Sequence, residues 1–360
     1  MKILFVYASA GAGHMKAAEA LYLASRKSPQ YAPTFVDILD YAHPSYKRLY
    51  RGSYSFLVSK IPFLWGMFFQ LLDVASIQPA VRGLRRFYNH LNGRRFEDYL
   101  IQEQFDVIFS THFMPNEVAA ALKRKHKIKS KIICVITDYD VHKIWLAEGI
   151  DHYAVACEDT KEKCLSLGVD SRRITVTGIP TDEHFAQGHN IPELKKRLGL
   201  YPDVFTVLIA TGSFGIGPIE EILGRLEGFQ VIVICGHNKE LFMRLVHQHS
   251  PMIKIFGLVD NMYEMMAVSD CMVTKPGGLS ISEALVSQLP MIFFNAIPGQ
   301  ETNNILVLQK YGIGSPTQSV QEIVDILTDL KKSKDQFLTA LKKTKALARP
   351  SAVKDILSLT

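Results

Sequence analysis

Cys271-Met272-Val273-Thr274-Lys275-Pro276-Gly277-Gly278-Leu279-Ser280-Ile281-Ser282-Glu283-Ala284 decides the fold: a short apolar run, a Lys-Pro-Gly-Gly break, then apolar positions at helical spacing. This is a buried strand passing through a glycine turn into a helix, the unit from which parallel sheets covered by helices are built. Gly277 and Gly278 let the backbone approach an anion, and the first N–H groups of the helix, around Leu279 and Ser280, point at that charge. Glu283, one turn further on, is placed to accept hydrogen bonds from a diol. Pro298-Gly299-Gln300-Glu301 downstream adds a polar contact. Together these stretches read as a site for a diphosphate, a ribose and a hexose, the parts of a nucleotide sugar. The alternative is a packing turn followed by a surface carboxylate.

The same grammar extends outward in both directions. In the second half, apolar runs fall at Phe205–Ala210, Gln230–Ile234, Ile253–Phe256, Cys271–Thr274 and Met291–Phe294. In the first half they fall at Ile3–Tyr7, Thr34–Ile38, Val107–Ser110, Ile132–Thr137, His152–Ala156 and Ile174–Thr177. Each is followed by a polar-punctuated helical stretch. The fold class is therefore α/β, with two Rossmann-like, doubly wound domains facing a cleft. The expected division is 1–182 for the first domain, 183–335 for the second, and a helical tail at 336–360, interrupted at Pro350 and compatible with a crossing back to the first. Pro180, Gly188, Pro192 and Gly199 punctuate the boundary.

Two further glycine turns follow strands. Thr211-Gly212-Ser213-Phe214-Gly215-Ile216-Gly217 comes after the run ending at Ala210, and Gly212 and Ser213 offer donors to the same diphosphate without a metal. Ser9-Ala10-Gly11-Ala12-Gly13-His14 comes after the first strand, but position 16 is Lys, so the dinucleotide fingerprint is incomplete. His14 either caps the following helix or stands at the ligand end of the sheet as an acid–base group.

Asp138-Tyr139-Asp140 is a spacing that suits a divalent cation, and we rank it below a metal-free site because the glycine loops already supply positive dipoles. His142 and Trp145 after it are expected to shape an acceptor side. No Walker, nucleophile-elbow or zincin spacing occurs.

The segment 41–96 departs from the alternation. Trp65, Phe68 and Phe69 lie among aromatic residues interleaved with Arg82, Arg85, Arg86 and other cations. That pattern suits an anionic membrane surface, where each cation contributes about 1 kcal/mol. It equally suits helices packed on the sheet with a solvated basic face. No nucleic-acid motif accompanies the charge, which is +6 over the 360 residues. The five cysteines show no metal-ligand spacing, and with no leader in front of the first strand they are expected to be buried thiols in a reducing cytosol. The longest apolar stretch, Ile61 to Leu72, falls short of the ~20 residues that span a bilayer.

These residues resemble the family 28-type glycosyltransferases of GT-B architecture, and within them the bacterial processive diacylglycerol β-glucosyltransferases and plant monogalactosyldiacylglycerol synthases. The resemblance rests on Gly13-His14, Thr137 to Trp145, Thr177-Gly178-Ile179-Pro180, Cys235-Gly236-His237-Asn238, Asp270 to Ala284 and Ile297 to Glu301. It implies His14 as general base, with Gly13, Asp138, His142 and Trp145 on the acceptor side. Gly212, Ser213 and Phe214 would lie under the phosphates, Gly257 and Leu258 at uracil, Glu283 at the ribose, and Gln300 and Glu301 at the hexose, with Gly299 in their turn. The implied reaction is inverting transfer of a hexose, glucose for preference, from a UDP-sugar to diacylglycerol or glycosyl-diacylglycerol. No metal or other cofactor is expected. The expected location is the cytoplasmic face of the membrane, peripherally bound. The alternatives are an N-acetylglucosamine transferase acting on a polyprenyl-diphosphate-linked sugar, and a non-catalytic nucleotide-sugar or lipid-binding module.

Overall fold

The computed structural model describes residues 1–9, 11–61, 66, 93–212, 215, 217–247, 250–294 and 296–360. The chain forms two compact units. One comprises Met1–Asp182, Ile297–Asn303 and Ser351–Thr360, the other Glu183–Ala296 and Asn304–Pro350.

The first unit is built on six parallel strands, β1 (Lys2–Tyr7), β2 (Ala32–Asp37), β3 (Val107–Ser110), β4 (Lys131–Val135), β5 (His152–Val155) and β6 (Ile174–Val176), in the order β2-β1-β3-β4-β5-β6. Their apolar residues fill both faces. Ile3 and Phe5 pack on one side with Leu21, Phe109 and Ile356, while Leu4 and Val6 pack on the other with Val118, Leu122 and Phe96. Burial on both faces is why these strands read as continuous apolar runs. Pro33 is tolerated because β2 is an edge strand. Tyr46 and Tyr50, from the basic helix Pro44–Lys60, lean on this core.

The second unit repeats the plan with β7 (Thr206–Ala210), β8 (Gln230–Ile234), β9 (Ile253–Phe256), β10 (Cys271–Thr274), β11 (Met291–Phe293) and β12 (Ser315–Pro316), in the order β12-β11-β10-β7-β8-β9. Val207, Ile209, Val231, Val233 and Val273 meet Ile222 and, from the helix Val320–Lys332, Ile323 and Leu327.

The stretch 336–360 divides at Pro350, where the sequence places its interruption. The helix Lys334–Leu347 counts with the second unit, and the chain breaks around Pro350 before the helix Ala352–Leu357 packs on the helix Ala12–Ser25 of the first. All five cysteines are buried free thiols. Among the described residues no helix is long and apolar enough to cross a membrane. Trp65, Phe68, Phe69, Arg82, Arg85 and Arg86, on which the membrane reading rests, lie outside the described residues.

Candidate active site

In each sheet the chain runs outward in two directions from its first strand, so the carboxyl ends of that strand and one neighbour form a topological switch point, where open α/β sheets bind ligands. In the first unit that point lies between β1 and β3. The loop after β1 is pinned by Asp37 at the end of β2, whose carboxylate accepts from the Ser9 backbone N–H (3.2 Å) and hydroxyl. The helix Ala12–Ser25 then starts at Gly11, and among the described residues no capping bond from the His14 ring occurs.

His14 instead turns towards the ends of β3 and β4. Its Nδ1 lies 2.9 Å from Oγ1 of Thr137, and its carbonyl accepts from Oγ1 of Thr111 at 2.8 Å. The His112 ring stands edge-on at 4.9 Å between centroids, with Trp145 at 5.9 Å. Burial lowers the His14 imidazole to about 4, against the opposing pull of a hydrogen bond with the Thr111 backbone. His112 is held well below its usual range by burial first and by His14 second. Both rings are therefore neutral at pH 7, and a neutral imidazole is the form that accepts a proton.

The two aspartates after β4 have a use other than the metal ligation weighed above. Both carboxylate oxygens of Asp138 accept from Nε2 of Gln300, at 3.1 and 3.0 Å, and Asp140 accepts from Nδ2 of Asn303 at 2.8 Å. Gln300 and Asn303 sit three residues apart at the start of the helix Gln300–Lys310, and all four residues belong to the first unit. Glu301 turns its carboxylate back to the Ile297 N–H at 2.7 Å, and Gly299, at φ +88°, donates to Oγ1 of Thr302.

In the second unit the switch point lies between β7 and β10, whose last residues, Ala210 and Thr274, pair in register. The two glycine loops read from the sequence thus leave adjacent strand ends. Thr274 Oγ1 donates to the Ala210 carbonyl at 2.6 Å, and Asn304 Nδ2 donates to the Pro276 carbonyl at 3.0 Å, which fixes the 275–277 turn from both sides. Gly212 has φ +78°, a left-handed conformation that calls for glycine. Gly277 does not: at φ −74° and ψ 136° any residue would fit, and a Cβ there would meet nothing within 4 Å. Gly257 likewise has open space about it, beside an exposed Leu258.

The helix Gly278–Val286 starts at Gly277 without a side-chain cap, so the N–H groups of Gly278, Leu279 and Ser280 are offered to an anion, and Glu283 lies partly exposed further along. Oγ1 of Thr211, next to Gly212, is buried with no hydrogen-bond partner among the described residues. Ser213 and Phe214 lie outside them.

The Monogalactosyldiacylglycerol (MGDG) synthase family matches residues 14–181, and the Glycosyltransferase family 28 C-terminal domain matches residues 206–356. A processive diacylglycerol beta-glucosyltransferase of Staphylococcus aureus (strain JH9) is 30% identical over 349 residues, covering 93% of this chain and 86% of that protein. The chain belongs to the family 28 glycosyltransferases. The enzyme of the same name from Staphylococcus epidermidis (strain ATCC 12228) is 35% identical over 256 residues; that match covers 69% of this chain and 65% of the relative's length, just under two thirds. Among solved structures, Acinetobacter baumannii MurG aligns with TM-score 0.64 at 13% identity over 99% of this chain and 98% of MurG. Anabaena HepE in complex with UDP-glucose aligns with TM-score 0.60 at 13% identity over 100% and 99%. These likenesses show the fold, the two-domain α/β class of GT-B proteins.

Of the residues expected on the acceptor side of this glycosyltransferase, Gly13 lies in the first turn of its helix, one residue from His14. His142 is buried and uses Nδ1 to cap the turn Lys143–Trp145, accepting from the Ile144 N–H at 3.1 Å. Trp145 is buried against the core with one side toward His14. Thr111, His112 and Thr137 are additions that the sequence reading did not single out as site residues. The available signal was position: each follows a buried strand at its carboxyl end.

Proposed function

We propose that this glycosyltransferase moves glucose from UDP-glucose to the hydroxyl of diacylglycerol, or of a glycosyl-diacylglycerol, with inversion to a β-glycoside. The observation that carries the reading is the placement of His14 beside Thr137 and His112 at the switch point of the first sheet, where burial favours the neutral imidazole. The lipid hydroxyl oxygen forms a bond to the anomeric carbon while the bond from that carbon to the β-phosphate oxygen breaks. His14 takes the hydroxyl proton and UDP departs with the electron pair. General-base assistance of this kind contributes about 10²- to 10⁴-fold.

The backbone around Gly212, Gly277 and Gly278 carries the diphosphate, where helix N–H groups offset its charge without a metal. Glu283 takes the ribose hydroxyls, the backbone at Gly257 and Leu258 meets uracil, and Gln300 and Glu301 meet the hexose. The acceptor's acyl chains keep it in the bilayer, so the enzyme works peripherally on an anionic cytoplasmic leaflet.

The test is incubation of radiolabelled UDP-glucose with diacylglycerol liposomes. Label should enter the chloroform phase, and His14→Ala should reduce that rate by about 10² or more. Label entering only a polyprenyl-linked acceptor would overturn the choice of substrate. UDP binding without turnover on either acceptor would reduce the chain to a binding module.

A further inference from the structure

We infer that Asp138 is a positioning residue for donor selection: it fixes which end of the Gln300 amide is presented to the sugar. At ordinary resolution the two ends of a glutamine amide are distinguished only by their partners. Here the partner decides, because a carboxylate offers acceptor oxygens alone and the amide nitrogen must face it. Nε2 of Gln300 donates to both oxygens of Asp138, at 3.1 and 3.0 Å. Asp138 is buried, 7% exposed, so water competes little for this bond. The adjoining pair, Asn303 to Asp140 at 2.8 Å, repeats the polarity one helical turn further on and resists rotation of the helix start.

The consequence for the ligand is directional. With its nitrogen engaged, Gln300 has Oε1 left to offer, so it meets the hexose as an acceptor and fixes the direction of that hydrogen bond. Asp138 also directly follows Thr137, the residue at Nδ1 of His14. One loop after β4 therefore aligns both the base and the amide.

The inference rests on the proposed contact between Gln300 and the hexose, and the experiment separates the two. Steady-state kinetics with UDP-glucose, together with competitive inhibition by UDP alone, are measured for Asp138→Asn, Gln300→Ala and the double variant. Asparagine at position 138 can both donate and accept, so the Gln300 amide loses its fixed sense while the shape is kept. Asp138→Asn should raise the KM for UDP-glucose about tenfold with the Ki of UDP unchanged, and the double variant should be no worse than Gln300→Ala.

The paired exchange Asp138→Asn with Gln300→Glu restores a fixed polarity, since the carboxylate at position 300 can only accept, and should recover much of the lost KM. A raised KM for Gln300→Ala with a normal KM for Asp138→Asn overturns the inference and leaves the hexose contact standing. A normal KM for Gln300→Ala overturns both. A loss in Asp138→Asn that extends equally to UDP, with no recovery in the exchange, identifies Asp138 as a purely structural residue and overturns the inference.

Discussion

Oγ1 of Thr137 and Nδ1 of His14 lie 2.9 Å apart, joined across 123 positions of sequence. If the imidazole accepts the substrate proton at Nε2, Nδ1 carries the hydrogen and Thr137 accepts it, the role a carboxylate plays in hydrolase triads. A neutral hydroxyl accepts from that tautomer without adding charge beside the imidazole. Thr137→Val keeps the volume and removes the acceptor. It should lower kcat roughly tenfold, one ordinary hydrogen bond, with the KM for UDP-glucose unchanged. An unaltered kcat would show that the hydroxyl does not orient the base.

Burial that holds His14 at about 4 makes a pH prediction with a definite sign. The acid limb of kcat/KM should fall below about pH 5, instead of near the 6.5 of an exposed imidazole. Stability is linked to the same group. Between about 4 and 6.5 the unfolded chain binds a proton that the folded ring refuses, so unfolding free energy rises with pH across this window and is lost as pH falls through it. The effect of His14 alone is on the order of 3 kcal/mol. His112, lowered in the same direction, adds to it. Urea unfolding of wild type and His14→Gln at pH 7 and pH 5 checks this: the variant should lose less stability on acidification.

The strand plan was legible because buried parallel strands are uninterrupted apolar runs. Val107–Ser110, Gln230–Ile234, Ile253–Phe256 and Cys271–Thr274 have the same bounds in sequence and structure. Ser315–Pro316 was not legible, since a two-residue edge strand ending in proline carries no periodicity. His112 escaped for a different reason. Its neighbours Ser110, Thr111 and Phe113 include no glycine, and its importance comes from β3 lying beside β1, a matter of strand order that local pattern does not encode. Asp138 and Gln300, 162 positions apart, were each singled out in the sequence as polar residues near a ligand, but their pairing depends on the chain returning to the first unit at Ile297–Asn303.

Glycines at ligand sites and glycines required by the backbone should respond oppositely to alanine. Gly277 has an ordinary φ and open space where a Cβ would go, so Gly277→Ala should leave the melting temperature unchanged while weakening UDP binding at least about tenfold, through steric exclusion of the diphosphate from the turn. Gly314, at φ +73° and against the Phe293 ring, is a backbone requirement. Gly314→Ala should cost about 2 kcal/mol or more, with the UDP affinity of the remaining folded protein unchanged. Thermal melts paired with calorimetric UDP titration measure both. A stable Gly277→Ala protein with normal UDP affinity would remove that turn from the donor site.

Thr211 offers the sharpest separation of stability from binding. Its Oγ1 is buried and lacks a hydrogen-bond partner among the described residues, and it adjoins Gly212 at the end of β7. A buried hydroxyl left unpaired costs folding free energy, so a fold selected for stability alone would carry valine at this place on the strand end. At the proposed donor site a bound diphosphate would supply the missing partner, and a hydrogen bond to a charged oxygen is stronger than one between neutral groups. Thr211→Val should therefore raise the stability of the unliganded protein by about 1 kcal/mol and weaken UDP binding by about tenfold. The two effects have opposite signs in one variant, so a general loosening of the loop cannot produce both. Equal UDP affinity in the stabilised variant would mean that the hydroxyl does not meet the donor, and would move the diphosphate away from β7 toward the Gly277 turn alone.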